Sequence, residues 1–144
     1  MENLRIDDLS VGDWVCAEQL CGVGNESRLT PPMRVVSLGS GAGGWVNLEI
    51  DPEQGDPFEY EPSEIRGVPI TTEILEKNGF KKNGEYNEWN IGTWRTPYLL
   101  GVSLERPAIT IKWNGSSVFI DQAKYVHQLQ HALRLARVDK EIKM

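Results

Sequence analysis

The sequence has 144 residues, of which 40% are hydrophobic and 25% are charged, so it has the composition of a globular protein with one or two small domains. No run of about 18 apolar residues is present, which argues against a transmembrane helix. The first residues lack an apolar segment behind a basic start, so we expect no secretory signal and a cytoplasmic location.

The formal charge of −6 is divided unevenly along the chain. Residues 1–66 carry thirteen acidic and four basic side chains, whereas residues 67–144 carry eight acidic and eleven basic ones. One interpretation is that the two halves attract each other, and another is that the second half presents a basic face to a polyanion. A net of only +3 in that half argues against strong binding to a phosphate backbone.

The first half predicts a small curled sheet. Gly12 and Asp13 indicate a turn that leads into a strand, because glycine tolerates a positive φ and the aspartate side chain can bond the local backbone. This start is similar to the entry into an SH3-like barrel. Residues 19–32, with several Gly and Pro, predict a loop. Further strands are predicted at residues 33–38, 45–50 and 58–61, and the alternation in the second of these is typical of a half-buried strand.

A short helix is predicted next, at about residues 72–78. Thr71 is a good N-cap, and Glu73 suits the positive end of the helix dipole. Gly79 should end the helix in the left-handed conformation, which would fold Phe80 back onto Leu75 in a Schellman motif.

The remainder predicts an antiparallel sheet followed by an amphipathic helix. Asn114-Gly115 lies between two β-favouring runs, residues 107–113 and 117–120, and this is a strong hairpin signal; residues 86–89 and 98–104 predict further strands. Asp121 is predicted to cap the last helix, whose apolar stripe centres on Leu129. The tail beyond about residue 138 is predicted to fray.

These elements predict an α+β fold, with an SH3-like β subdomain over residues 1–66 and an α+β subdomain over residues 67–144, docked as one compact unit.

Two segments carry a family resemblance. They are GVPITTEIL at residues 67–75, followed by Asn78-Gly79-Phe80, and KYVHQLQ at residues 124–130. Together they resemble a group of small uncharacterised proteins from prophages and mobile elements of gut anaerobic bacteria, which pair an IPLTEE helix ending in GF with a terminal KYVHQLQ helix. The resemblance implies no activity and no cofactor.

Two regions are candidates for a partner or ligand surface. On a helical wheel His127 and His131 fall opposite the apolar stripe, so we expect them to face water or a partner. We include Gln128 in this surface, because packing of the apolar stripe does not explain its presence. The segment 86–98 combines aromatic rings with hydrogen-bonding groups, as carbohydrate, nucleobase or peptide sites do. Within it we single out Trp89, Trp94 and Arg95, although tryptophan in a small domain is more often core.

Three sets of residues match a phosphate-binding, a zinc-binding or an acid–base catalytic motif only in part. The glycine-rich segment 39–44 fits G-x-G-x-x-G, but a strand is predicted after it, whereas a phosphate cradle requires a helix. Cys16 and Cys21, with His127 and His131, have the local spacings of a zinc site but are more than a hundred residues apart. Acidic side chains that could form a catalytic pair are those of Asp7, Asp8 and Asp13, or of Glu59, Glu61 and Glu64.

No coherent catalytic set emerges, so we expect no enzyme, no cofactor and no metal. The favoured hypothesis is a non-catalytic protein-interaction or accessory module that binds another protein, with no membrane role. The alternative is a nucleic-acid-binding module, in which a basic stripe lies beside Trp89 and Trp94. The stripe would consist of Lys81, Lys82, Arg95, Lys112, Arg134 and Arg137.

Overall fold

A computed structural model describes residues 4, 8–21, 26–39, 44–49, 56–84, 88–92, 98–113 and 116–144. The chain divides into two units, Met1–Val68 and Pro69–Met144. The first is a curled antiparallel sheet, and the second combines a short helix, an antiparallel sheet and a C-terminal helix. The predicted α+β fold class is therefore confirmed.

The sheet of the first unit is a half-barrel of short strands. They are β1 (Trp14–Cys21), β2 (Glu26–Leu29), β3 (Met33–Leu38), β4 (Val46–Glu49), β5 (Phe58–Tyr60) and β6 (Ile65–Gly67). β1 is shared, since it pairs with β2 and β3 and also with β6, while β3, β4 and β5 are successive neighbours. A strand with this many neighbours curls the sheet, and the half-barrel that results is consistent with an SH3-like form.

The predicted turn before β1 is confirmed. Gly12 has a φ of 95°, and the Ser10 amide donates to Oδ2 of Asp13 at 2.8 Å. The Asp13 side chain is fully buried, so the hydrogen bond that stabilises the turn is shielded from water. The backbone carbonyl of Asp13 then accepts from the amide of Val35 in β3.

The predicted loop at residues 19–32 is wrong for residues 19–21 and 26–29, which are strand; residues 30–32 are outside any strand, and residues 22–25 lie outside the described residues. β1 continues to Cys21, and β2 pairs with it in the register Glu18↔Leu29 to Cys21↔Glu26. The sequence of β2 is polar and has little strand propensity, so the pairing with β1 defines the strand. Two prolines then separate β2 from β3, and Thr30 maintains the ladder there because its Oγ1 accepts from the amide of Ala17 at 2.9 Å.

The core of the first unit is formed by the inward side chains of this sheet. It contains Leu4, Leu9, Val15, Ala17, Met33, Val35, Val46, Leu48, Tyr60 and Ile65. Val46 and Leu48 alternate with the less buried Asn47 and Glu49, which confirms the period of two predicted for this strand.

The second unit is an antiparallel meander, with one helix before its strands in the sequence and one helix after them. Its elements are α1 (Thr72–Lys77), β7 (Lys81–Asn83), β8 (Glu88–Gly92), β9 (Tyr98–Ser103), β10 (Ala108–Trp113), β11 (Ser116–Asp121) and α2 (Val126–Leu135). The strand order is β11-β10-β9-β8-β7. The predicted hairpin is confirmed, because β10 and β11 pair from Trp113↔Ser116 to Ala108↔Asp121, although Asn114 and Gly115 lie outside the described residues.

α1 begins and ends as predicted. The Thr71 side chain accepts from the amide of Ile74. At the other end Gly79 has a φ of 84°, and the amide of Phe80 donates to the carbonyl of Leu75 at 3.0 Å, which is the long bond of a Schellman motif. Leu75 and Phe80 are both buried, so this ending directs the chain into the core of the second unit.

The two faces of the second sheet differ in polarity. The inner face is formed by Trp89, Leu100, Val102, Ile109 and Ile111, all buried. The outer face carries Glu88, Asn90, Gly101, Thr110, Lys112 and Phe119. α2 lies against β10 and contributes the fully buried Leu129 and Leu133, which confirms the predicted apolar stripe of the helix.

Asp121 does not cap α2, so that prediction is wrong. β11 continues through Asp121, whose Oδ1 accepts from the amide of Gln122 at 3.0 Å, and Gln122 turns the chain with a φ of 58°. The helix begins five residues later, at Val126, with Tyr125 as its N-cap. Asp121 therefore belongs to the strand that pairs with β10, although its side chain type favours a helix N-cap.

The predicted fraying of the tail is also wrong. Val138 and Ile142 are buried, with Ile142 only 1% exposed. Asn78, the C-cap of α1, holds the backbone of Lys143 by two hydrogen bonds, and the Lys77 amino group donates to the carbonyl of Met144. The last residues are thus part of the core of the second unit.

Neither helix of the described chain is long and apolar enough to cross a membrane.

Candidate functional site

His127 lies inside the second unit and not on its surface, which corrects the prediction that it faces outward. Its side chain is only 3% exposed. The ring stacks on Tyr125 with centroids 5.8 Å apart and meets His131 edge-on at 5.7 Å. A helical wheel shows which side of α2 is apolar, but it does not show what packs against the other side.

Gln128 has a structural role that explains its place in the KYVHQLQ segment. Its Oε1 accepts from the amides of Lys124 and Tyr125, at 2.8 and 2.9 Å. Its Nε2 donates to the carbonyl of Gln122 at 3.4 Å. Gln128 is the third residue of α2, so it forms one half of a capping box that fixes how the chain enters the helix.

Replacing Gln128 by alanine should lower the free energy of unfolding by about 1–2 kcal/mol, because two backbone amides at the start of α2 lose their acceptor. Gln128→Glu should stay close to wild type, since a carboxylate offers the same acceptor at this position. Urea unfolding of both variants provides the measurement. Equal losses would show that the side chain acts through something other than the cap.

Trp89 is likewise part of the core. It belongs to the inner face of the sheet, opposite Val102, and is 9% exposed. The structure therefore places Trp89 in the core of the second unit and not on an exposed surface. Trp94 and Arg95 lie outside the described residues.

The basic side chains proposed for a nucleic-acid stripe do not all share one face. Lys81 and Lys82 are consecutive in β7, so they point to opposite faces of the sheet. Lys112 lies on the outer face, opposite Leu99, and Arg134 and Arg137 belong to the end of α2.

The Cys16 thiol is a poor nucleophile or metal ligand. It is buried, and its Sγ donates to the carbonyl of Arg66 at 3.5 Å. Burial raises the pKa of the Cys16 thiol above its usual value, and the nearby Arg66 guanidinium offsets this only in part. The side chain of Cys21 lies outside the described residues. Among the residues that the structure does describe, no group of three potential metal ligands occurs.

No helix follows the glycine-rich segment, and Asp13 and Glu64, two of the acidic residues considered from the sequence, form local hydrogen bonds; Asp7 lies outside the described residues. β4 begins directly after Gly44 and Trp45, so no helix follows the last glycine to hold a phosphate. Asp13 is bonded to Ser10, and the Glu64 side chain accepts from the amide of Glu61 in the cap of a short 3₁₀ turn.

The outer strand β11 forms an exposed apolar edge that the sequence analysis did not single out. Val118 and Phe119 are 49% and 64% exposed, and among the described strands β10 is the one that pairs with β11. Val118 belongs to the inner face and Phe119 to the outer face, so apolar area is presented on both sides of the same strand. We call this region, Ser117 to Asp121, the β11 edge. Two adjacent apolar residues on a predicted strand were the available signal, since at most one of them can face the core.

The edges of the two sheets are protected to different degrees. β7, at the far side of the second sheet, has three residues, and two of them are exposed lysines. β5 in the first unit also has three residues, and Glu59 and Glu61 lie in and beside it. Short strands and charges are the usual protection against further pairing. β11 has six residues in an unbroken register, with Asp121 at its end as the single charge.

A cavity of about 320 Å³ lies near the end of α2. It is lined by Trp113, Leu135, Ala136 and Arg137. Trp113 is 38% exposed and Leu135 is 65% exposed, so the apolar surface of this unit extends from the β10–β11 hairpin toward the helix end.

Comparison of the chain with protein-family models, with curated proteins and with solved structures found no match.

Proposed function

We propose that this protein is a non-catalytic interaction module that binds another protein chain at the β11 edge. The observation that carries the proposal is a six-residue edge strand with Val118 and Phe119 about half or more exposed. A long edge strand with exposed apolar side chains is a template for pairing with another chain.

Strand addition is the mode of binding that this edge supports best. An incoming strand gains main-chain hydrogen bonds from the unpaired side of β11, and these bonds supply affinity. Val118 and Phe119 lie on opposite faces, so a bound strand would contact an apolar side chain above and below the sheet. The register with β10 is regular over the whole length of β11, so the strand offers an uninterrupted template.

A non-catalytic role is supported by what the candidate reactive groups do. His127 is packed between two rings, Gln128 caps α2, and Cys16 has a thiol whose pKa is raised by burial. Each of these has a role in the folded structure. The resemblance of residues 67–80 and 124–130 to small proteins of prophages and mobile elements supports an accessory role in such a system.

Nucleic-acid binding is the second candidate. What favours it is a cavity of about 500 Å³ beside β7 and β8, which Lys81 and Lys82 both line. What weakens it is the burial of Trp89, which removes one of the two rings proposed to stack on bases. Salt-sensitive binding of a labelled oligonucleotide, lost in Lys81→Glu/Lys82→Glu, would place this candidate first.

The proposal is tested by affinity purification from the native host with wild type, Phe119→Lys and Phe58→Lys. Phe58 is a matched control, because it is 57% exposed and also lies on an edge strand, but in the first unit. We expect wild type and Phe58→Lys to retain the same bound chains and Phe119→Lys to lose them, since a charge on the β11 edge opposes pairing. The same set of bound chains in all three samples would refute a role for this edge.

A further inference from the structure

The backbone groups of β11 that face away from the sheet can be assigned from the register. Two residues join β10 to β11, and the closing pair is Trp113↔Ser116. A two-residue hairpin closes on a hydrogen-bonded pair, and in antiparallel sheets such pairs alternate with non-bonded ones. The amides and carbonyls of Val118 and Ile120 are therefore directed at β10. Those of Ser117, Phe119 and Asp121 are directed outward.

We propose that the partner at the β11 edge is a second copy of this chain, paired antiparallel with a two-fold axis at Phe119. This inference rests on the proposed function, because it names the chain that occupies the same edge. In this register Phe119 faces Phe119 of the second copy, and their outward amides and carbonyls form the central pair of hydrogen bonds. The two sheets then become one sheet of ten strands.

Side-chain matching favours this register over its neighbour. With the axis at Phe119, Val118 faces Ile120 of the second copy on the inner face, and Ser117 faces Asp121 on the outer face. Apolar residues thus oppose apolar ones, and a hydroxyl opposes a carboxylate, as favourable cross-strand pairs do. With the axis at Val118, the same five-residue overlap would place Phe119 opposite Ser117 and Ile120 opposite Ser116.

Charge also matches across the proposed interface. On the outer face Lys112 is the cross-strand neighbour of Ser117. Because Ser117 faces Asp121 of the second copy, Lys112 and that aspartate are separated by two strand spacings, roughly 10 Å. A lysine side chain can cover much of this distance, and the two-fold axis creates the contact twice. No like charges oppose each other along the paired strands.

The pairing closes at two copies and does not continue into a fibre. A strand edge that pairs with its own copy about a two-fold axis is fully occupied in the dimer, so this pairing ends at two copies. At the opposite edge of the same sheet, β7 is short and carries exposed Lys81 and Lys82. Among the described strands of this sheet, β11 is the edge that lacks such protection.

The test uses the full chain in sedimentation velocity from about 5 to 500 μM, the range in which small interfaces associate. We expect a concentration-dependent dimer for wild type and for the Phe58→Lys control. Phe119→Lys and Phe119→Asp should each weaken the dimer about tenfold or more, because like charges would face each other across the axis. A mixture of these two variants should recover the dimer, since opposite charges then meet.

Amide hydrogen exchange provides a readout without mutation. Protection of the amides of Ser117, Phe119 and Asp121 should rise with wild-type concentration, whereas protection of Val118 and Ile120, already bonded to β10, should not change. A wild type that stays monomeric at the highest concentration overturns the inference. A dimer that both variants leave intact also overturns it, as does a mixture that fails to recover the dimer.

The failure of this inference can be separated from failure of the proposed function. If wild type is monomeric but Phe119→Lys still loses a bound protein in the purification, the edge binds a different chain and only the dimer is refuted. If Phe119→Lys changes neither self-association nor the bound proteins, both proposals fail together.

Discussion

Trp89→Ala should lower the free energy of unfolding by about 3–5 kcal/mol, the cost of removing a large aromatic side chain from a core. Trp89 is 9% exposed on the inner face of the second sheet, beside Val102. Removing it deletes apolar area and leaves a cavity that the strands on either side can fill only in part. Chemical denaturation followed by far-UV circular dichroism measures the loss.

Trp113→Ala is the matched control for this experiment. Trp113 lies on the same face of the same sheet, but it is 38% exposed at the end of β10. Its replacement should cost no more than about 1 kcal/mol, because much of the side chain already contacts water. Equal costs for the two tryptophans would contradict the assignment of Trp89 to the core and would revive a surface role for it.

The elements that the sequence predicted well are those whose signals lie within a few residues. Thr71 and Gly79 bound α1 at the predicted positions because a hydroxyl cap and a left-handed glycine act on neighbouring backbone groups. The Gly12-Asp13 turn and the β10–β11 hairpin are of the same kind. Thr71, Gly79, Gly12 and Asp13 give the signal and also adopt the predicted conformation or contact.

The wrong predictions involve contacts between segments that are distant in sequence. β2 exists because β1 provides a partner, and its own polar sequence gives no sign of a strand. Asp121 is a plausible helix cap by residue type, but it is paired with Ala108 of β10. Tyr125 and Gln128 cap α2 in its place. His127 is only 3% exposed, although a wheel drawn for the helix alone places it opposite the apolar stripe.

The candidate surface was harder to predict than the fold for a related reason. The alternation of apolar residues shows that a segment is a strand, but it does not show whether that strand lies at an edge of the sheet. The sheet order places β11 outermost and β10 inside, although both strands have apolar residues in similar number. Exposure of Val118 and Phe119 follows from that order.

Asn78 holds the C-terminal tail from more than 60 residues away in sequence. Its Nδ2 donates to the carbonyls of Ile74 and Lys143, each at 2.8 Å. Its Oδ1 accepts from the amide of Lys143 at 2.7 Å. Asn78 is only 4% exposed, so these bonds replace water that cannot reach the side chain. The same residue is thus the C-cap of α1 and the anchor of the tail.

Asn78→Ala should therefore lower the free energy of unfolding by about 2–3 kcal/mol, because the backbone groups of Lys143 lose their partners and Ile142 loses the restraint that keeps it buried. The amide of Lys143 should exchange slowly in wild type and much faster in the variant. Native-state hydrogen exchange and urea unfolding together measure the local and the global effect.

Lys143→Ala is the matched control, since it shortens an exposed side chain and leaves the same backbone groups in place. It should remain within about 0.5 kcal/mol of wild type and keep the slow exchange of its amide. Asn78 bonds to the main chain of residue 143, so only the change at Asn78 should release the tail. A Lys143 amide that already exchanges at the unfolded rate in wild type would refute the anchor, and comparable losses in both variants would place the effect in the lysine side chain.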